Sequence, residues 1–235
     1  MSIKAILLDF YGTLVHEDDE VIPVICEKIK VNSPLDCNIK DIGKYWWQVF
    51  SKMFQSSYGD SFKTQRELEV ASLSKTITYF KSDCNADEII QEQFDHWVKP
   101  KLYNDTVPFL QQFNTLPVLI LSNIDTSDII LATRFHNIQV NDVITSEDVR
   151  AYKPRPELFL EGLSRYKLNA NEVIHIGDSI TSDVLGANKL GIKTIWLNRL
   201  NKQKPGEIKP DYICKDLKEA QTILLRELGE DNIVV

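Results

Sequence analysis

Nine glycines are spread through the 235 residues, and none falls in the GxGxxG or GxxxxGKS/T spacing that cradles nucleotide phosphates. The four cysteines, Cys26, Cys37, Cys84 and Cys214, lie far apart with no CxxC pair, which excludes a zinc ribbon and a dithiol redox motif. There is no HExxH and no GxSxG nucleophile elbow, and His16, His96, His136 and His175 are too scattered to suggest a zinc cluster. No run approaches the ~18 apolar residues of a membrane span. The apolar stretch that follows Met1–Lys4 ends at Asp9, too short for a signal peptide and without a small-residue cleavage site. Positive charge is also scarce: 27 Lys and Arg stand against 34 Asp and Glu, a net charge of −7 and a pI near 5.2. Nucleic acid and anionic membrane surfaces both need a basic patch, so neither is expected as a partner. The most basic stretch, Lys202 to Lys209, is broken by Pro205 and Glu207 and reads as a solvated loop. These absences leave a soluble cytoplasmic protein with reduced thiols as the expectation. They assign no oligomeric state.

What is present is an alternation. With 43% hydrophobic residues the chain can bury a substantial core. Short apolar runs rich in Val, Ile and Leu occur at Ile3–Leu8, Pro117–Leu121, Val140–Ile144, Val173–Ile176 and Lys193–Leu197, the mark of parallel strands covered on both faces. From the second run onward, helical segments separate them at Ser127–Phe135, Glu157–Tyr166 and Ser182–Leu190, the last followed by Gly191 as a C-terminal cap. A further strand at Asp211–Cys214 and a helix at Leu217–Leu228 complete an α/β, doubly wound, Rossmann-like parallel sheet. Between the first two strands the rhythm breaks. Residues 16–102 show helical periodicity only, as in Ile42, Trp46, Val49, Phe50 and Met53, and again in Ile90, Phe94 and Trp97. This reads as an inserted helical domain of about four helices, leaving 1–15 and 103–235 as the core. Trp46 and Trp47 point about 100° apart on a helix, so one is expected in the bundle core and the other facing the sheet, or both in packing contacts.

Asp9 ends the first apolar strand, at the sheet edge where open α/β folds bind ligands. Ser122 and Asn123 follow the second strand, Gly177-Asp178 follows the fourth, and Lys153 sits in the rigid Ala-Tyr-Lys-Pro-Arg-Pro approach to a helix. One crevice should therefore gather Asp9, Ser122, Lys153, Asp178 and Asp183. Three carboxylates placed together resist ionisation, and one lysine with one divalent cation would offset them and still attract a phosphoryl group. The all-oxygen ligand set points to Mg2+. Asp9 could then attack phosphorus in line, with Ser122 and nearby backbone N–H groups holding the phosphoryl oxygens. Each position also has a plain structural reading. Asp183 suits the first turn of a helix, Ser122 could satisfy the strand end, and Lys153 could be a surface lysine in a Pro-rich turn. His175, inside an apolar strand, reads as a hydrogen-bonded core histidine, and Asp125 or Thr126 as a helix cap without function.

Asp9-Phe-Tyr-Gly-Thr-Leu14, Leu119-Ile-Leu-Ser-Asn123, Val149-Arg-Ala-Tyr-Lys-Pro154 and Ile176-Gly-Asp-Ser-Ile-Thr-Ser-Asp183 together resemble the four motifs of the haloacid dehalogenase-like superfamily. They stand in that family's order, with a helical cap inserted after the first. The resemblance implies Asp9 as nucleophile and metal ligand, the Tyr11 carbonyl and Asp178 as further ligands, and Thr13 as support for the nucleophile loop. It implies contacts of Ser122 and Asn123 with the transferred group. Lys153 would stabilise Asp9 and the phosphoryl charge, and Asp183 would hold the metal through water or pair with Lys153.

Tyr11 departs from the family's phosphatases, which usually carry a second aspartate there as general acid and base. The true dehalogenases carry tyrosine, but they need no metal and have serine in place of Asp178. They also use a cap arginine soon after the first motif, whereas the first arginine here is Arg66, and Phe159 stands where they have tyrosine. Without a cation, Asp178 would oppose an anionic haloacid. The expectation is accordingly a magnesium-dependent phosphatase of a small phosphorylated metabolite, ahead of a metal-independent 2-haloacid dehalogenase. A weakly active binding or regulatory protein, motivated by Tyr11, is the third reading.

Overall fold

The computed structural model describes residues 2–203 and 206–229. Lys204 and Pro205, inside the basic run read as a solvated loop, lie outside the described residues. Six parallel strands form one sheet: β1 (Ala5–Leu8), β2 (Val118–Ser122), β3 (Asp142–Thr145), β4 (Val173–Gly177), β5 (Lys193–Leu197) and β6 (Tyr212–Cys214), in the order β3-β2-β1-β4-β5-β6. The four central strands are buried throughout or nearly so, which explains their unbroken apolar character. Strand order reverses between β1 and β4, and such a reversal opens a crevice at the carboxyl ends.

Helices α1 (Ile22–Val31), α2 (Ile39–Ser56), α3 (Gln65–Tyr79), α4 (Ala86–Ile89) and α5 (Gln91–Val98) fill the interval between β1 and β2. α2 packs on α1 and α3 through Ile42, Trp46 and Phe50. Trp46 is buried and donates its indole N–H to Ser72 at 2.9 Å. Trp47 is 66% exposed, so it faces solvent and not the sheet. The remaining helices, α6 (Thr106–Gln112), α7 (Thr126–Phe135), α8 (Ser146–Val149), α9 (Glu157–Tyr166), α10 (Gly186–Asn188) and α11 (Leu217–Leu228), belong to the sheet half of the chain. A Cβ on Gly162 of α9 would fall 3.6–3.8 Å from Ile144, Leu121 and Leu119, so that face of the helix packs on the sheet.

Two sequence expectations shift. The third strand begins at Asp142 and not at Val140, because Asn141 turns aside to join β2: its side chain accepts from Val118 N–H at 2.8 Å and its own N–H donates to the Val118 carbonyl. The helix expected at Ser182–Leu190 begins instead as a π-turn, Ile180–Leu185, before α10. Its wider turn lets Asp183 fold back so that its carboxylate accepts from Ser179 N–H at 3.0 Å, and π-turns of this kind cluster at functional sites. Gly191 has a φ of +73° and ends that segment as expected.

Candidate active site

Asp9, Lys153 and Asp183 meet at the carboxyl edge of β1 and β4. Lys153 is 1% exposed; its ammonium donates to Asp9 Oδ1 at 2.8 Å, Asp183 Oδ1 at 2.6 Å and the Leu121 carbonyl at 2.7 Å. All three of its protons are used, as a buried ammonium requires. Asp178 completes the group: one oxygen each from Asp9, Asp178 and Asp183 lies within 4.8 Å of the others. Burial pushes the Asp9 carboxyl up to about 7, with Lys153 opposing and Asp183 adding to the shift. Burial likewise holds Asp178 well above the ordinary carboxylate range, reinforced by the charges of Glu17, Asp9 and Asp183. Asp183 goes the other way. Burial alone would raise it, but the Lys153 charge and the His175 hydrogen bond hold it well below the usual value. The cluster thus carries one settled carboxylate, one settled ammonium and two carboxyls whose ionisation needs further positive charge.

Glycine backbone shapes the site. Gly12 has a φ of +77°, and a Cβ there would fall 2.5–2.9 Å from the Asp178 carboxylate. A Cβ on Gly177 would fall 2.3–2.7 Å from the Asp183 side chain. Both turns leave room for a carboxylate where any other residue would put a methyl group.

Oxygen ligands suit magnesium, and the donor set here consists of carboxylates. Asp183 has both oxygens committed, Oδ1 to Lys153 and His175 and Oδ2 to Ser179 N–H. Asp9 and Asp178 are therefore the carboxylates able to face a cation, and the residues present fit that ion.

The other residues singled out from sequence take varied places. Asn123 grips the backbone of Lys153: its Oδ1 accepts from Lys153 N–H at 2.8 Å and its Nδ2 donates to the Lys153 carbonyl at 3.4 Å. Ser122 is buried and accepts from Ile124 N–H at 3.2 Å. Thr13 is buried with its hydroxyl oxygen lacking a partner among the described residues, while its carbonyl accepts from Arg199 at 2.9 Å. Tyr11 turns toward the inserted helices and donates its phenol proton to the Trp97 carbonyl. Burial, then Asp128 and Asp18, push that phenol well above its ordinary pKa.

Sequence reading missed several contributors. His175 is the hydrogen-bonded core histidine that the sequence suggests, and its partner is the site: its Nε2 donates to Asp183 Oδ1 at 3.0 Å and orients that carboxylate, while burial lowers its pKa. Asp125 is the N-cap residue of α7, as read from the sequence, but its side chain makes no bond to that helix. Its carboxylate instead accepts from Gln65 N–H at 2.7 Å and Arg66 N–H at 3.0 Å, capping α3 across the sheet–cap boundary. Asp128 grips the Arg66 guanidinium at two points, 2.7 and 2.6 Å, and Tyr152 donates to the Lys63 carbonyl at 2.7 Å. No sequence signal distinguishes such latching carboxylates from ordinary first-turn acids. Lys202, in a polar loop, reaches Asp178 Oδ2 at 3.3 Å.

Residues 3–191 match the family of haloacid dehalogenase-like hydrolases. The chain is 30% identical to a glyceraldehyde 3-phosphate phosphatase of Pyrococcus furiosus over 104 residues, covering 43% of this chain and 41% of that one. It spans less than half the length of the curated relatives it matches. An L-2-haloacid dehalogenase superposes with a TM-score of 0.80 at 18% identity, covering 95% of this chain and 99% of that one. The HAD-hydrolase YfnB of Bacillus subtilis, solved with magnesium, superposes at 0.75 and 17%, again covering 95% and 99%. At such identities the superpositions speak for the fold alone. Fold, motif order and family match converge: the chain belongs to the haloacid dehalogenase-like hydrolases.

Proposed function

We propose that this hydrolase is a magnesium-dependent phosphatase of small phosphorylated metabolites, working through an aspartyl-phosphate on Asp9. The observation that carries this reading is Asp178, buried beside Asp9 and Asp183 with more carboxylates than Lys153 can neutralise. Asp9, Asp178 and the Tyr11 carbonyl would hold the ion, which when bound supplies positive charge to keep Asp9 ionised and to polarise the phosphoryl group.

The protein's own groups do the rest. Asp9 Oδ attacks phosphorus, the P–O bond to the leaving group breaks, and water then attacks phosphorus to release phosphate and the Asp9 carboxylate. Lys153 keeps one Asp9 oxygen fixed at 2.8 Å and offsets charge on the transferred group. Asp183, oriented by His175 and Ser179 N–H, holds Lys153. Asn123 positions Lys153 through its backbone, and Thr13, in the turn that follows β1, and Ser122, at the end of β2, would shape the approach of the phosphoryl oxygens. Tyr11 cannot serve as general acid while its proton is committed to Trp97, so good leaving groups such as acyl phosphates should be favoured. The similarity to a glyceraldehyde 3-phosphate phosphatase supports a small phosphorylated substrate. We place the core at 1–15 and 103–235 and the cap at 16–102, since Val15 and Leu102 pair where the chain leaves and re-enters the sheet half.

Tyr11 alone favours the second reading, a metal-independent 2-haloacid dehalogenase. Arg66, the first arginine, has its guanidinium bound to Asp128, which weakens that reading. Pulsing the protein with a radiolabelled acyl phosphate and magnesium, then quenching in acid, tests the proposal. Hydroxylamine-labile label that disappears in Asp9→Asn is expected; equal label in the variant refutes covalent chemistry at Asp9.

A further inference from the structure

The open side of Asp178 is covered by a lysine that no motif includes. Lys202 Nζ lies 3.3 Å from Asp178 Oδ2 and 3.6 Å from Glu17 Oε2. The Asp178 side chain is 10% exposed and the lysine 46%, so the lysine reaches in from solvent along one edge of a buried carboxylate. Glu17, Lys202 and Asp178 line a single small cleft together with Gly12.

The lysine is held in place. Asn198 clamps its backbone twice, accepting from Lys202 N–H at 2.7 Å and donating to the Lys202 carbonyl at 2.8 Å. Next to Asn198, Arg199 is bound bidentately to Asp105 at 2.9 Å and 2.9 Å, and donates to the Thr13 carbonyl. The loop is thereby tied to the nucleophile turn, and the short tether leaves the ammonium two anionic partners within reach.

We propose that Lys202 is a tethered cation that competes with the divalent metal for Asp178 and withdraws to Glu17 when the metal binds. This rests on the reading of Asp178 as a metal ligand. An ammonium and a divalent ion on one carboxylate edge repel each other. Glu17 offers the displaced ammonium a counter-charge and leaves the net charge around the loaded site balanced. In the metal-free protein, Lys202 supplies part of the charge that buried Asp178 otherwise lacks. The function of the pair is to set metal affinity, lowering it from the value that the carboxylates alone would give.

The test is calorimetric titration of Mg2+ alone, at fixed pH and ionic strength, into the unmodified protein and into Lys202→Met, Lys202→Arg and Asp178→Asn. Lys202→Met should bind Mg2+ about fivefold more tightly, equivalent to ~1 kcal/mol, the upper range for a solvent-screened ion pair. Lys202→Arg should bind as the unmodified protein does, because it keeps the charge. Asp178→Asn should bind far more weakly. Equal or weaker binding by Lys202→Met overturns the competition, as does equal tightening by Lys202→Arg. If Asp178→Asn binds as well as the unmodified protein, or if neither the unmodified protein nor any variant binds, the magnesium reading itself falls, and the competition with it. Binding by Lys202→Met where the unmodified protein shows none supports the proposal.

Discussion

Replacing Asp9 by Asn should abolish turnover and at the same time stabilise the metal-free fold, by an amount that grows with pH. The carboxyl of Asp9 titrates near 7 in the folded chain against 3.8 for an ordinary aspartate, because burial and Asp183 outweigh Lys153. An acid with a raised folded pKa binds more protons folded than unfolded between those two values, so stability falls as pH rises through that window. Moving the carboxyl from 3.8 to about 7 corresponds to ~4 kcal/mol at saturation, present in full above pH 7 and absent below about pH 4. Asparagine resembles the neutral carboxyl and never ionises, so it escapes this penalty. Removing the Asp9 charge also eases Asp178, whose pKa it helps to raise. Urea denaturation of both proteins in chelator at pH 5, 6, 7 and 8 provides the assay. The variant should already be the more stable by ~1–2 kcal/mol at pH 5, and the gap should widen progressively to ~4 kcal/mol at pH 8. Parallel curves, or a less stable variant at pH 8, would refute the electrostatic account of the site.

Other consequences follow from the same geometry. Lys153→Met should destabilise the protein by ~3–5 kcal/mol at pH 7, because it leaves Asp9 and Asp183 buried without their counter-charge; chemical denaturation measures this. Gly12→Ala should cost at least ~1–3 kcal/mol from its φ of +77°, and should weaken Mg2+ binding because the new methyl meets the Asp178 carboxylate. Tyr11→Asp should raise the rate on alkyl phosphates relative to acyl phosphates by ~100-fold or more, the low end for general acid–base help. A set of leaving groups of graded basicity reads this directly, and an unchanged ratio would mean that another group supplies the proton.

The sheet was legible because buried parallel strands leave continuous apolar runs, and β1, β2, β4 and β5 fall within a residue or two of those runs. The inserted helices were legible from spacing, as Ile42, Trp46 and Phe50 show by sharing one buried face. Strand ends also placed Asp9, Lys153, Asp178 and Asp183 in one crevice. Less visible were features decided by tertiary contact. Asp125 is the N-cap residue of α7, but its carboxylate serves α3, since local sequence cannot say which helix end a carboxylate meets. The π-turn at Ile180–Leu185 accompanies the return of the Asp183 carboxylate to Ser179 N–H, and composition carries no mark of that. Lys202 lies in a polar loop that patterning reads as solvated, and its reach to Asp178 depends on how Asn198 and Arg199 fold that loop back.

The most direct test of the central proposal is hydrolysis of an acyl phosphate and of a 2-haloacid by the same preparation, each with magnesium and with chelator. Phosphate release that requires magnesium and is lost in Asp178→Asn, without halide release in any condition, is the predicted result. Halide release at full rate in chelator, unaffected by Asp178→Asn, would contradict it.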